Sequence, residues 1–205
     1  MNLRRIHYFS GIVLSIFVGM HLFNHIWAIL GIEKHISLMA ILRLVYRNIF
    51  VEVLLLAVVF GQVITGFALV RKHKGISRIG WDRWHIWSGL YLSFFLLFHC
   101  LAVLAGRSIL HLDTNFYFGA AGMSAFPTGL FFVPYYILAI MSFFTHIAAV
   151  HSKKMERNLL GISPHQQSLG IVLMGAFVLI LVLWGMTQGF TGVDVPQGYE
   201  VLQGK

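Results

Sequence analysis

Five long apolar runs divide the chain, at about 6–30, 49–70, 84–106, 129–151 and 167–190, separated by polar, charged or Gly/Pro-bearing breaks. Runs of about 20 apolar residues are long enough to cross a bilayer as helices. The pattern therefore predicts an all-α integral membrane bundle of five transmembrane helices, one domain over residues 1–205. Residues 31–47 (GIEKHISLMAILRLVYR) mix apolar and basic positions and predict a short amphipathic helix lying in the interface. Residues 107–128 (RSILHLDTNFYFGAAGMSAFPT) are aromatic and Gly-rich and predict a loop packed on the outer face. The tail from Phe190, with Asp194, Pro196, Gly198 and Glu200, is expected to be irregular.

Arg4 and Arg5 precede the first run, as they would in a secretory signal. The run is longer than a signal's apolar region, and no A-x-A-type site follows Trp27, so a retained helix is expected. Composition agrees: 58% of residues are hydrophobic and 11% charged, with mean hydropathy +0.80. A soluble domain carries about 25% charged residues. The net charge of +8 is read as topology, not as a nucleic-acid surface. With the N-terminus in the cytoplasm, the inner side holds Arg4, Arg5, Arg71, Lys72, Lys74, Arg78, Arg83, Lys153, Lys154 and Arg157. The outer side holds only Lys34, Arg43, Arg47, Arg107 and Lys205. That excess places the N-terminus inside and the C-terminus outside. Cys100 is the only cysteine, which excludes a disulfide framework and a Cys-based metal site.

Eleven histidines are unusual in so apolar a chain, and a polar ionisable group within the bilayer is a functional candidate by default. His35, His73, His111 and His165 fall in breaks and are expected to be solvated or interfacial. His7–His21 (HYFSGIVLSIFVGMH) and His85–His99 (HIWSGLYLSFFLLFH) share H, S, G, L, S, F and H at matching places. Fourteen helical residues rise about 21 Å and return to within about 40° of the same face. His21 and His99 thus reach one depth near the outer leaflet, and His7 and His85 another at the inner edge. Paired imidazoles at equal depth suit a haem, whose iron takes two axial ligands while its flat ring fills the gap between helices. Gly11 and Gly89, one turn past the first histidines, thin the wall. Ser10 and Ser88 are placed to bond backbone or a propionate.

The fourth run adds His146, deep enough for a ligand, and His151 at the edge. The second run carries Gln62, placed for an interhelical hydrogen bond, and Glu52 near the outer end. Desolvation raises a carboxyl's pKa there and suits proton transfer; pairing with Arg47 or Arg43 is the structural alternative. Trp81, Trp84 and Trp87 read as an interfacial aromatic belt. No phosphate loop, HExxH or nucleophile constellation is present. The chain could pass electrons or protons but could not oxidise an organic acid alone.

RRIHYFSG at the start, a histidine late in the first run, HIWSGLYLSFFLLFH in the third and H-x4-H in the fourth resemble the five-helix cytochrome b membrane subunit of succinate dehydrogenases and quinol:fumarate reductases. The resemblance covers most of the chain and is weakest in the fifth run. It implies an outer haem b held by His21 and His99, with His25 a competitor for His21. It implies an inner haem held from the second and fourth helices, where His146 takes one place and Gln62 stands where the family has histidine. Three outcomes stay open: no inner haem; His146 with His85 or His7; or His7 with His85. Two haems are expected over one, and Arg5 suits a propionate. The resemblance also implies a bacterial or archaeal cytoplasmic membrane, with an iron-sulfur subunit and a flavoprotein subunit on its cytoplasmic face. Menaquinone or another quinone would bind near the outer haem, where Glu52, Arg43, Arg47 and His25 are candidates. Other readings are a haem b subunit of another quinone-linked oxidoreductase, of hydrogenase, formate dehydrogenase or nitrate reductase type, and a haem-free structural anchor.

Overall fold

A computed structural model describes residues 2–72 and 80–204. Five of its helices are long and apolar enough to cross a membrane. They are α1 (Leu3–Ile26, prolonged to Leu30 by a 3-10 turn), α3 (Ile49–Lys72), α4 (Gly80–Ser108), α6 (Gly129–Lys154) and α7 (Pro164–Met186). The shorter α2 (Ile32–Tyr46) is the amphipathic helix expected over 31–47, and α5 is Phe116–Ser124. His73, Lys74 and Arg78 of the expected basic loop, and Lys205, lie outside the described residues.

Local chemistry sets the ends. Asn2 caps α1 by accepting from the Arg4 amide. Ser163 and Gln166 form a capping box at α7, with Pro164 in the first turn, a pairing that satisfies orphan amide donors. Two expectations need correction. The stretch 107–128 is not all loop, because Asn115 Oδ1 accepts from Tyr117 N at 3.0 Å and starts α5. The last span stops at Met186, not near 190, because Gln188, Gly189 and Phe190 take positive φ, which a right-handed helix excludes. The tail also holds a 3-10 segment, Gln197–Gln203.

The spans form a closed ring. α1 packs on α3, α3 on α4, α4 on α6, α6 on α7, and α7 returns to α1. Among the described residues, α1 and α4 have no close backbone approach and face each other across the middle. α7 closes the ring through two glycines. A Cβ on Gly175 would sit 2.5 Å from the Phe144 Cβ, and one on Gly185 2.9 Å from the Ile29 backbone nitrogen. The well-packed core lies at the far end of the bundle, where Phe116 and Ala120 of α5 meet Leu22, Ile140, Val182 and Met186. Elsewhere the outer faces show apolar side chains, Ile64 at 67% and Leu173 at 70% exposure among them. Such faces belong against lipid.

Candidate functional site

The middle of the ring is a cavity of about 1540 Å³. Single ligand pockets usually measure about 300–1,000 Å³, so this one has room for more than one group. It runs from Arg4 and Arg5 at the N-terminal end to Arg43, Arg47 and Arg107 at the far end. Of the residues singled out from the sequence, His7, His21, His25, Glu52, His85, His99 and His146 line it with these arginines; Ser10 stands just behind the wall.

At the far end, His21 of α1 and His99 of α4 face each other with ring centres 6.1 Å apart. Two imidazoles on opposite sides of one metal, with metal–nitrogen bonds of about 2 Å, stand roughly 6 Å apart centre to centre. Each ring is braced by the phenylalanine one turn earlier, Phe17 stacking on His21 and Phe95 on His99. The repeated serines are accounted for as well. Ser15 and Ser93 donate to the Gly11 and Gly89 carbonyls, at 2.8 and 2.9 Å. His25 is tied elsewhere, its Nε2 lying 3.1 Å from His21 Nε2 and its Nδ1 3.3 Å from Met186 Sδ.

His35 corrects the sequence expectation most. It is fully buried, not solvated. α5 covers α2, setting Phe116 edge-on to the His35 ring at 5.3 Å, with His25 at 5.4 Å on another side. Asn24 Nδ2 lies 3.3 Å from its Nε2, and its Nδ1 has no hydrogen-bond partner among the described residues. Burial, with lesser contributions from His21 and Arg43, pushes its pKa down to about 4.

Glu52 pairs with Arg107 of α4, not with Arg43 or Arg47. The reason is geometric: α3 and α4 are neighbours in the ring, while Arg43 of α2 and Arg47, its C-cap residue, reach Asp113 at 2.8 and 3.9 Å. Tyr199 of the tail donates to the Asp113 carbonyl at 2.8 Å and closes this polar rim.

At the N-terminal end the packing repeats itself. Ser10 of α1 touches Gln62 of α3, and Ser88 of α4 lies 3.3 Å from His146 Nδ1 of α6. A Cβ on Gly11 would meet Gln62 at 3.1 Å, and one on Gly89 would meet His146 at 3.0 Å. Gln62 and His146 are therefore structural counterparts, a relation that spacing alone does not reveal. His7 Nδ1 lies 2.9 Å from the Thr65 hydroxyl, and its Nε2 3.3 Å from the Gln62 amide nitrogen. The His85 and His146 rings pack at 4.4 Å, and Lys153 joins His85 Nδ1 (3.0 Å) to Asp82 (2.7 Å). Trp84 and Trp87 are exposed at this end, while Trp81 donates to His165.

Among the described residues, no three His, Cys, Asp or Glu side chains gather as a free metal ion would require. A haem iron needs only two imidazoles, because the macrocycle supplies the other nitrogens. The cavity fits such a group: apolar walls, facing imidazoles, glycines where rings lie close, and cations at both mouths for carboxylates. No family model, curated protein or solved structure matches the chain.

Proposed function

We propose that the chain is a membrane cytochrome b, the haem-carrying anchor of a succinate dehydrogenase or fumarate reductase type complex. The observation that carries this is the closed ring of five helices around a cavity of about 1540 Å³ in which His21 and His99 face each other at 6.1 Å. Bound haem b supplies one-electron iron chemistry. The chain's own residues bind and orient it. His21 and His99 would hold it at the far end, with Phe17 and Phe95 fixing the planes of their rings. To hold the group, the His21 Nε2 that now lies 3.1 Å from His25 Nε2 would turn from that contact. Arg4, Arg5 and Lys154 at one mouth, and Arg43 and Arg107 at the other, offer partners to propionates.

The end bearing Arg4, Arg5, Arg71, Lys72, Lys153 and Lys154 faces the cytoplasm by the excess of positive charge, which puts the C-terminus outside. An iron-sulfur subunit docks there and carries the flavoprotein, in a bacterial or archaeal cytoplasmic membrane. A quinone, menaquinone in the first instance, exchanges two electrons and two protons at the far end. Glu52, held by Arg107, moves the proton there, and Arg43, Arg47 and His25 line the approach.

The test is haem per chain by pyridine haemochrome, with a reduced-minus-oxidised spectrum, on the purified complex. A b-type spectrum that His99→Ala diminishes supports the assignment. A colourless protein refutes it and leaves a structural anchor held by polar contacts. A molybdenum or nickel subunit in the complex, in place of a flavoprotein, moves the chain to another quinone-linked oxidoreductase.

A further inference from the structure

We infer that the turn between α6 and α7 is a membrane anchor whose tip, Leu159, Leu160 and Ile162, enters the acyl boundary of the adjacent leaflet among anionic headgroups, an assignment that rests on the five spans and not on the haem. Leu159 and Ile162 exchange backbone hydrogen bonds at 3.1 and 2.9 Å, closing a loop of two residues, Leu160 and Gly161. Both take positive φ, 51° and 79°. Two-residue loops of that hand favour Asn-Gly and Asp-Gly, and a bulky side chain in the first place is sterically disfavoured. Leu160 stands there nonetheless, at 100% exposure, with Leu159 and Ile162 about half exposed on either side. In water this turn combines a strained backbone with a bare apolar tip. In the acyl boundary the tip is buried, and backbone strain of this kind persists where the surroundings make use of it.

Hydrogen bonds present the tip and keep it from folding back. Gln167 Nε2 donates to the Ile162 carbonyl at 2.8 Å and to the Arg157 carbonyl at 3.3 Å, one on each arm of the turn. Its Oε1 lies 2.9 Å from His151 Nε2 and accepts from it. One carboxamide near the start of α7 thus ties both arms to the last turn of α6. Ser163, directly after the tip, is held by its capping box.

Height decides what covers the tip. Trp81 of α4 donates to His165 of α7 at 3.1 Å, and Trp84 and Trp87 at the same end of α4 are exposed. Aromatic side chains of this kind mark the headgroup level. The turn is tied to α7 at Gln167, two residues farther into the span than His165, so it hangs beside the bundle at that level. Charge selects the headgroup. This end carries Arg4, Arg5, Arg71, Lys72, Lys153 and Lys154, against Asp82 and Glu156 as its acids among the described residues. Exposed Arg157 opens the turn itself. An apolar tip framed by cations is the composition of an interfacial anchor, and anionic lipid attracts such a frame.

The experiment places a nitroxide at the tip. Cys100 is the sole cysteine, so Cys100→Ala with Leu160→Cys takes one spin label. The full chain, purified with its native partners, is placed in vesicles of phosphatidylethanolamine and phosphatidylglycerol. Power-saturation electron paramagnetic resonance compares collisions with oxygen, which concentrates among acyl chains, and with a water-soluble nickel chelate. Oxygen is expected to dominate at position 160, and the chelate at position 156, labelled through Glu156→Cys in the same background. In vesicles of neutral phosphatidylcholine the balance at position 160 shifts toward the chelate. Where Leu160→Cys fails to assemble, Ile162→Cys carries the label with the same expectation. A tip dominated by the chelate in the anionic vesicles overturns the anchor. So does a label shielded from both reagents, the mark of a protein subunit seated on the tip. An equal balance in the two kinds of vesicle overturns the part given to charge.

Discussion

Replacing His35 by leucine should change how stability depends on pH. The imidazole is fully buried and its pKa lies at about 4, against 6.5 for an ordinary histidine, chiefly because burial disfavours the charged ring. Above about pH 6.5 both native and unfolded chains hold this ring neutral. As pH falls below that, the unfolded chain binds a proton that the native one refuses, and native stability drops. The loss is about 1.4 kcal/mol per pH unit and levels off near pH 4, for a total of about 3 kcal/mol. His35→Leu removes this contribution. At pH 7 it also leaves the Asn24 carboxamide buried without its partner, which costs about 1–3 kcal/mol. The double variant Asn24→Leu/His35→Leu recovers much of that cost. The assay is denaturant unfolding in mixed micelles from pH 7.5 to 4.5, read as the difference between wild type and His35→Leu, so that the other histidines cancel. Parallel curves for the two proteins refute the burial argument.

Arg107→Ala should leave the Glu52 carboxylate without its partner in the cavity wall and cost about 1–3 kcal/mol; Glu52→Gln added to it should restore part of the loss in the same unfolding assay. Gly185→Ala drives a methyl group to 2.9 Å from the Ile29 nitrogen and 3.0 Å from the Ala28 Cβ. Overpacking of that kind costs about 1–3 kcal/mol and is expected to lower the thermal midpoint, whereas Gly170→Ala, with open space around it, should not. Tyr199→Phe removes the hydroxyl that donates to the Asp113 carbonyl and should cost about 1 kcal/mol, with faster proteolysis of the tail as a second readout.

The five spans and α2 were legible because hydropathy over twenty residues is a strong, local signal. α5 was not, since FYFGAAGMS is rich in glycine, a poor helix former; Asn115 as an N-cap was the cue that could have found it. The depth-matching of His21 and His99 was readable from the fourteen-residue spacing. The burial of His35 was not, because an amphipathic helix shows which face is apolar but not that α5 will cover it. The correspondence of Gln62 with His146 was suggested only through the resemblance: the α1-to-α4 repeat is written in identical residues, while α3 and α6 share a position in the ring without sharing a motif.

The closed ring has a consequence for assembly. Of the five spans, α7 leaves the ribosome last, and it joins α6 directly to α1. Chains generally gain structure from the N-terminus as they are made. Until α7 docks, the bundle has a side opening one helix wide, except at the far end, where α2 and α5 already bridge α1 and α6. The haem proposed above would enter from the lipid through that gap. Afterwards, the Gly175 and Gly185 contacts hold α7 across it. For the haem proposed above, the order of the spans along the chain would set a loading window during biogenesis, with α7, which carries none of the cavity histidines among the described residues, as its door.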